Sequence, residues 1–314
     1  MALPDAAYEP VTVVLDWGTT NFRAFLVKSD GSIVDEKIGD RGIQSVTKGE
    51  HARVVSEGLA SWRAEYGPLD IVAAGMIGSR NGWIEMPYVP TPAAVGDLAA
   101  ACRTIELAQG DRLTFLPGLT DPTAFPFPDV MRGEETQLLG AAALIGGGRQ
   151  LVCMPGTHSK WVRLAGDKVE GFSTFMTGEL FDALSRHTIL SHAVAEAETF
   201  ATGSAAFADA VSRATESPAT ATNLLFSVRA GQLLHGTGAA DARAQLSGTL
   251  IGLEIAGALA GSPQSEDVCL VGAGKLGTLY RTALESQGLN VQVVDADEAV
   301  RGGLSAAARA IWPL

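Results

Sequence analysis

Residues 11–16 (VTVVLD) are apolar at almost every position, the pattern of a buried strand, and the Gly-Thr-Thr that follows signals a turn. A second strand over 22–27 meets Ser29-Asp30-Gly31, an Asp-Gly type of turn, and a third strand runs from Ser32 to about Lys37. Two consecutive hairpins therefore open the chain. Further on, the periodicity predicts a helix over 53–66, a buried strand over 70–75, a helix over 93–107 and a strand over 112–117. The order βββαβα with a closing strand departs from the strict βα alternation of a doubly wound nucleotide fold.

Residues 117–128 contain four prolines and a glycine, which marks them as a linker or hinge. After a helix over about 133–144, the opening pattern returns. LVCMPGTHSKWVRLAGDKVEGFSTF again gives an apolar strand, a Gly-Thr turn with hydroxyls, a second strand, a Gly-Asp turn and a third strand. Placing Gly18-Thr19 on Gly156-Thr157 aligns the two hairpins and suggests an internal duplication. Residues 195–260 are Ala-rich with helical spacing, suited to a layer covering the second sheet. A strand over 267–271, a Gly-rich turn over 272–277, a helix over 279–287, a strand over 291–294 and a helix over 298–311 complete the reading. The expected fold class is α/β: two ribonuclease H-like domains, residues 1–120 and 121–314, each a mixed sheet flanked by helices, with a cleft between them. The last helix could pack back on the first domain.

Composition narrows the partners. At 314 residues the chain exceeds a usual single core, and two domains follow. With 23 basic residues against 35 acidic ones, the formal charge of −12 argues against a phosphate-backbone surface, so nucleic acid is not expected. Anions would have to bind where a few Arg, Lys or backbone N–H groups converge. Cys102, Cys153 and Cys269 lie far apart without metal-ligand spacing and read as buried free thiols. MALPDAAYEP has no basic region followed by an apolar one, and no apolar run approaches membrane-spanning length. A cytoplasmic location with no membrane partner is expected; a homo-oligomer remains open.

The two Gly-Thr turns carry the chemistry. In LDWGTTNF a carboxylate, Asp16, ends a buried strand, and Gly18, Thr19, Thr20 and Asn21 can offer N–H and hydroxyl donors to phosphate oxygens. Asp16 would orient Mg²⁺ through water, because that ion keeps much of its hydration shell. An ordinary hairpin whose threonines satisfy their own turn would look the same in isolation. Gly156, Thr157, His158 and Ser159 repeat the donor set in the second half, and two such loops facing each other would grip a polyphosphate. His158 suits either a neutral donor to phosphate or a structural histidine.

Gly272, Gly274 and Gly277 satisfy GxGxxG between a strand and a helix, and Asp295 stands where a dinucleotide-binding acid would. A nicotinamide-dependent oxidoreductase is the alternative this raises. Only one helix remains after that acid, however, too little for a full dinucleotide domain. The same glycines can clear space for the base and ribose of an adenosine.

Taken in order, the three loops resemble the phosphate-1, phosphate-2 and adenosine motifs of the acetate/sugar kinase–Hsp70–actin superfamily. GMIGSRNGW (75–83), MRGEETQLLGA (131–141) and MPGTHSKWV (154–162) are similar to those of the 2-dehydro-3-deoxygalactonokinases. The resemblance spans residues 11–301 and implies phosphorylation of 2-dehydro-3-deoxy-D-galactonate at its 6-hydroxyl by ATP with Mg²⁺. It also implies a base just after a glycine at a helix start. Glu134 follows Gly133 directly, and Glu135 is the alternative, since related kinases have Asp there and the register is open by one residue. Arg80 and Arg132 suit a bidentate grip on a sugar-acid carboxylate, with Asn81 adding a hydrogen bond and Trp83 a stacking wall. Each arginine could instead pair with Glu85, Glu134 or Glu135. A non-catalytic ATP-binding protein of the superfamily would need a peptide-binding domain or polymer contacts, and a sugar-sensing repressor a DNA-binding module; neither is evident.

Overall fold

The computed structural model describes residues 11–124, 127–260 and 267–312. The N-terminal segment read for a leader lies outside them, as do residues 125–126 of the proline-rich stretch. The chain forms two compact units, one of Met1–Gly147, Ala165–Gly171 and Ala296–Leu314, the other of Gly148–Leu164 and Phe172–Asp295. The boundary expected at 120/121 thus falls inside the first unit.

In the first unit, β1 (Val11–Trp17), β2 (Phe22–Lys28) and β3 (Ile33–Gly39) form the two opening hairpins. The helix expected over 53–66 is broken at Leu59 into α1 (His51–Gly58) and α2 (Ala60–Tyr66). Strand β4 (Asp70–Ala74) follows, then β5 (Tyr88–Pro90), α3 (Val95–Ala100), β6 (Arg103–Glu106) and β7 (Arg112–Phe115). The helix expected to reach residue 107 therefore stops at Ala100. Residues 103–106 instead pair antiparallel with β7 at the sheet edge, where Thr104 and Thr114 share a hydroxyl bond of 2.8 Å. A β-branched pair across two strands prevails there over the Ala-rich run before it.

The stretch expected as a hinge contains β8 (Gly118–Asp121), which pairs with β5 and with β9 (Asp129–Met131) in a small sheet that no periodicity announced. Its strands have three or four residues, too few for alternation to register. Helix α4 (Glu134–Ile145) closes this part of the unit.

The main sheet has the order β3-β2-β1-β4-β7-β6, with β1 parallel to β4 and β4 parallel to β7. Both faces of β1 are covered, which explains its unbroken apolar run. Val13, Leu15 and Trp17 join Val55, Leu59 and Trp62 on one side, whereas Val14 meets Val300 and Leu304 of the final helix on the other.

The second unit holds β10 (Arg149–Met154), β11 (Ser159–Ala165) and β12 (Lys168–Phe175). The helices α5 (Thr177–His187), α6 (Ser191–Val194), α7 (Ala205–Glu216), α8 (Ala221–His235) and α9 (Ala239–Ala260) come next. Then follow β13 (Asp267–Val271), α10 (Gly274–Ser286) and β14 (Asn290–Val294), and α11 (Ala296–Ile311) belongs to the first unit. The sheet order β12-β11-β10-β13-β14 repeats the first five positions of the other sheet. Each unit is therefore a ribonuclease H-like sheet, and GxGxxG lies in a lone strand-to-helix turn of it. The glycines serve packing: a Cβ on Gly272 would stand 3.3 Å from Gly277 Cα. Cys102, Cys153 and Cys269 are free, the last two buried and Cys102 half-buried.

Within the first unit α4 and α11 cross with their backbones in contact. A Cβ on Gly140 would lie 1.8 Å from Ala299 O, and one on Gly303 would lie 1.7 Å from Thr136 O. No rotamer change relieves a clash with backbone. Gly303→Ala should therefore lower the thermal unfolding midpoint by several degrees, a cost of about 3 kcal/mol. Gly302→Ala, whose Cβ would meet Gly140 Cα at 3.6 Å, should be neutral or stabilising through helix propensity.

Candidate active site

In the first unit, three backbone segments converge at Gly75. Its φ of +90° takes the chain from β4 into a single turn at Met76–Gly78. A side chain there would collide, since a Cβ would stand 2.9 Å from Trp17 O and 3.2 Å from Asp16 Oδ1. Gly133, with φ +104°, closes the third side: its Cβ would lie 3.4 Å from Gly75 Cα. The end of β1 and the start of α4 are thereby brought together, and with them Asp16 and Glu134.

Asp16 is partly buried and ion-paired to a residue the sequence reading did not assign. Arg23 Nη2 and Nε donate to its Oδ2 at 2.5 and 3.1 Å, while Arg23 Nη1 donates to Asp297 Oδ1 at 2.8 Å. Burial pushes the Asp16 carboxyl up; Arg23 opposes this, and the charges of Asp297 and Glu134 add to it. One oxygen is thus committed to Arg23, and Oδ1 faces the Gly75 corner. Among the described residues no group of three or more His, Cys, Asp or Glu side chains could cage a metal. A single carboxylate oxygen fits an ion that arrives with its waters and a phosphate chain.

The turn Gly18–Asn21 is braced from one side. The carbonyls of Gly18, Thr19 and Thr20 accept the N–H groups of Ile43, Gln44 and Gly42 at 3.0, 3.3 and 3.0 Å. Gly42 can approach only because it has no side chain: a Cβ would lie 2.3 Å from Thr19 O. The Gly18 N–H donates to Asn21 O at 3.0 Å within the turn, so the Thr19 and Thr20 amides and hydroxyls are left to offer as donors.

Glu134 and Glu135 differ sharply. Glu134 Oε2 accepts the Arg132 N–H at 3.1 Å and its side chain is half-buried. Glu135 is buried, with Oε2 accepting the Gly133 N–H at 2.6 Å and Oε1 unpartnered. Burial pushes its carboxyl up to about 8, the Glu134 charge adds to the rise, and backbone amides and Arg132 only partly offset it.

Among the expected acceptor residues, Arg80 and Asn81 are exposed. Trp83 does not present an open stacking wall: its ring stacks on His51 at 5.7 Å and meets Phe115 edge-on, so it packs against the core. Arg132 is held in place, with Nη2 donating to Met86 O at 2.7 Å and the guanidinium 4.4 Å from the Tyr88 ring. Its Nε and Nη1 have no partner, and Ser79 Oγ beside it has none either. Gly78 makes the room, since a Cβ there would stand 3.1 Å from Nη1. These atoms and Glu135 Oε1 are the unpartnered buried side-chain polar atoms among the described residues, and all belong to this neighbourhood.

In the second unit the loop Gly156–His158 borders a cavity of about 630 Å³ lined by Thr177, Gly178, Phe200, Leu250, Lys275 and Tyr280 among others. The N-terminus of α5 backs the loop, because Gly178 comes within 2.5 Å of Gly156 O by its would-be Cβ and Glu179 N–H donates to Thr157 O at 3.0 Å. His158 Nε2 contacts Glu179 Oε2 at 2.6 Å. Ser159 does not stand with the other loop donors: it is fully buried and its Oγ bonds Tyr280 OH at 2.9 Å. It is the first residue of β11, and the pleat turns it inward. Gly272 and Gly274 flank the start of α10, whose Lys275, Leu276 and Leu279 line the cavity.

The sequence reading missed Arg23, Gly42, Gly75, Gly178 and Ser79. A glycine directly after a buried strand was the available signal for Gly75, and TGE at a helix start the signal for Gly178.

Glu135 makes a checkable contribution to stability. Its folded carboxyl keeps a proton that the unfolded chain, near the ordinary 4.5, has already lost. Stability from this group is complete below that value and falls as pH rises toward about 8, by up to about 1.4 kcal/mol per unit. Chemical-unfolding midpoints measured across this window should decline in the native sequence and flatten in Glu135→Gln.

Comparison with known proteins places these features. Residues 16–307 match the family described as 2-keto-3-deoxy-galactonokinase. The chain is 65 % identical over 300 residues to "Probable 2-dehydro-3-deoxygalactonokinase DgoK1" of Rhizobium meliloti (strain 1021), covering 96 % of this chain and 97 % of that one. It is 33 % identical over 299 residues to the 2-dehydro-3-deoxygalactonokinase of Escherichia coli (strain K12), covering 95 % and 98 %. A crystal structure from Sinorhizobium meliloti, described as a candidate 2-dehydro-3-deoxygalactonokinase, superposes with a TM-score of 0.92 at 63 % identity, covering 96 % of this chain and 100 % of that one. The chain belongs to the 2-keto-3-deoxy-galactonokinase family.

Proposed function

We propose that this protein transfers the γ-phosphoryl group of ATP to the 6-hydroxyl of 2-dehydro-3-deoxy-D-galactonate, giving the 6-phosphate and ADP in cytoplasmic galactonate breakdown. Family membership across residues 16–307 supports the reaction, and the convergence of Asp16 and Glu134 at Gly75 is the observation that carries the mechanism. No described helix is long and apolar enough to cross a membrane.

Phosphoryl transfer asks the protein for positioning and charge more than for covalent chemistry. Asp16, through Oδ1 and water, would hold a Mg²⁺ ion arriving with the phosphates, which supplies neutralisation of the phosphoryl oxygens. The turns Gly18–Asn21 and Gly156–His158 offer N–H and hydroxyl donors to phosphate. The cavity of the second unit takes the adenosine, with Gly272 and Gly274 at the helix start beside it.

Glu134 is the base that accepts the 6-hydroxyl proton as the new O–P bond forms and the bond to ADP breaks. Glu135 is the weaker candidate, because a carboxyl pushed up to about 8 is largely protonated near neutrality and one of its oxygens holds Gly133. Arg132 is the carboxylate anchor: its guanidinium is pinned by Met86 and Tyr88, and its Nε and Nη1 are left without a partner to donate to an incoming anion. Arg80 and Asn81, exposed on the same loop as Ser79, extend the acceptor surface, and Trp83 stiffens it from behind.

A coupled assay of ADP release tests these roles. Glu134→Gln should lower kcat at least about a hundredfold with ADP still bound. Arg132→Met should raise the KM for the sugar acid at least about tenfold and leave the KM for ATP unchanged. Full activity in Glu134→Gln would remove it as the base.

A further inference from the structure

Helix α9 carries a carboxyl group deep in the second unit. Glu254 is 2 % exposed. Its Oε1 accepts Trp161 Nε1–H at 2.8 Å and its Oε2 accepts the Tyr280 hydroxyl at 2.6 Å, and the hydroxyls of Thr177 and Ser159 also bond to it. Ser159 and Tyr280 are linked in turn at 2.9 Å. Every one of these partners is a neutral donor. An apolar side chain of similar volume would strand these four buried donors, so the carboxyl is the common acceptor that holds them in one arrangement.

The four donors come from three elements around one cavity. Ser159 and Trp161 open β11 directly after the Gly156–His158 loop, Thr177 is the first residue of α5, and Tyr280 lies on α10. Thr177 and Tyr280 line the cavity themselves. On α9, Ser247, Leu250 and Ile251 line it too, and Glu254 follows at the spacing that keeps it on their face. One carboxylate therefore ties the strand after the phosphate loop, the helix that backs that loop, and the helix that follows the Gly-rich turn.

We infer that Glu254 is the positioning residue of the nucleotide site, holding the Gly156–His158 loop and helix α10 at the separation a bound nucleoside di- or triphosphate requires. The inference rests on the cavity being the nucleotide site. Loss of the carboxylate frees Tyr280 and Thr177 to turn, and the loop loses its fixed distance from α10. The acceptor residues belong to the first unit and are not in this network.

Steady-state kinetics with ATP and the sugar acid varied separately, joined to calorimetric titration of ADP, test this on Glu254→Gln, Tyr280→Phe and the double variant. Glu254→Gln should raise the KM for ATP and the Kd for ADP about tenfold, with the KM for the acid unchanged. The double variant should be no worse than Glu254→Gln alone, because both act through one network. Unchanged ADP affinity in Glu254→Gln, or equal rises in both KM values, would overturn the inference. If Glu254→Gln does not fold, Tyr280→Phe and Thr177→Val must shift ADP affinity in the same selective way, and failure to do so overturns it equally. A native protein that binds no ADP would overturn the nucleotide reading and this inference together, whereas native ADP binding with an unshifted Glu254→Gln overturns the inference alone.

Discussion

The corner at Gly75 exists because three backbone segments meet with no side chain between them. Trp17 O, Gly75 and Gly133 are so close that a single methyl group at either glycine meets its neighbours, and both residues hold φ values that other side chains rarely adopt. That contact fixes the end of β1 against the start of α4, and so fixes Asp16 relative to Glu134. The same economy of side chains recurs where α4 crosses α11 at Gly140 and Gly303, which locks the helix bearing Glu134 onto the layer behind the sheet. Loops positioned on so rigid a frame can carry chemistry without being stiff themselves.

Charge in an acidic protein is managed locally. Asp16, Glu134, Glu135 and Asp297 crowd one region, and the cations present, Arg23 and Arg132, are each held in fixed geometry by that crowd or by nearby carbonyls. Arg23 shares its guanidinium between Asp16 and Asp297, which keeps Asp16 usable in spite of its burial. Arg132 is held by one nitrogen and a ring and leaves Nε and Nη1 unpaired. The adjacent carboxyls of Glu134 and Glu135 differ in setting, one half-buried and one closed in, where burial and the Glu134 charge push it up.

Much of this was legible in the chain because it rests on local pattern. The buried opening strand, the two Gly-Thr turns, the glycine before Glu134 and the repeat of the hairpins each occupy a short run of sequence, and the sheet order repeats accordingly. What escaped was non-local. Arg23 reaches Asp297 across the length of the chain, Glu254 gathers donors from β11, α5 and α10, and Ser159 is turned inward by the pleat of its strand. The edge strand Arg103–Glu106 and the small sheet of β5, β8 and β9 are too short for periodicity to separate from helix or loop. The GxGxxG run misled for a physical reason: close strand-to-helix packing asks for the same glycines in a dinucleotide fold and in this one.

The central claim is that the acceptor hydroxyl is activated at the corner shared by Asp16, Gly75 and Glu134. A crystal structure with ADP, Mg²⁺ and the sugar acid tests it most directly. The account predicts the 6-hydroxyl within about 3 Å of a Glu134 carboxylate oxygen and the acid's carboxylate on Arg132. A sugar acid bound with its hydroxyl beyond hydrogen-bond reach of Glu134 and its carboxylate away from Arg132 would contradict it.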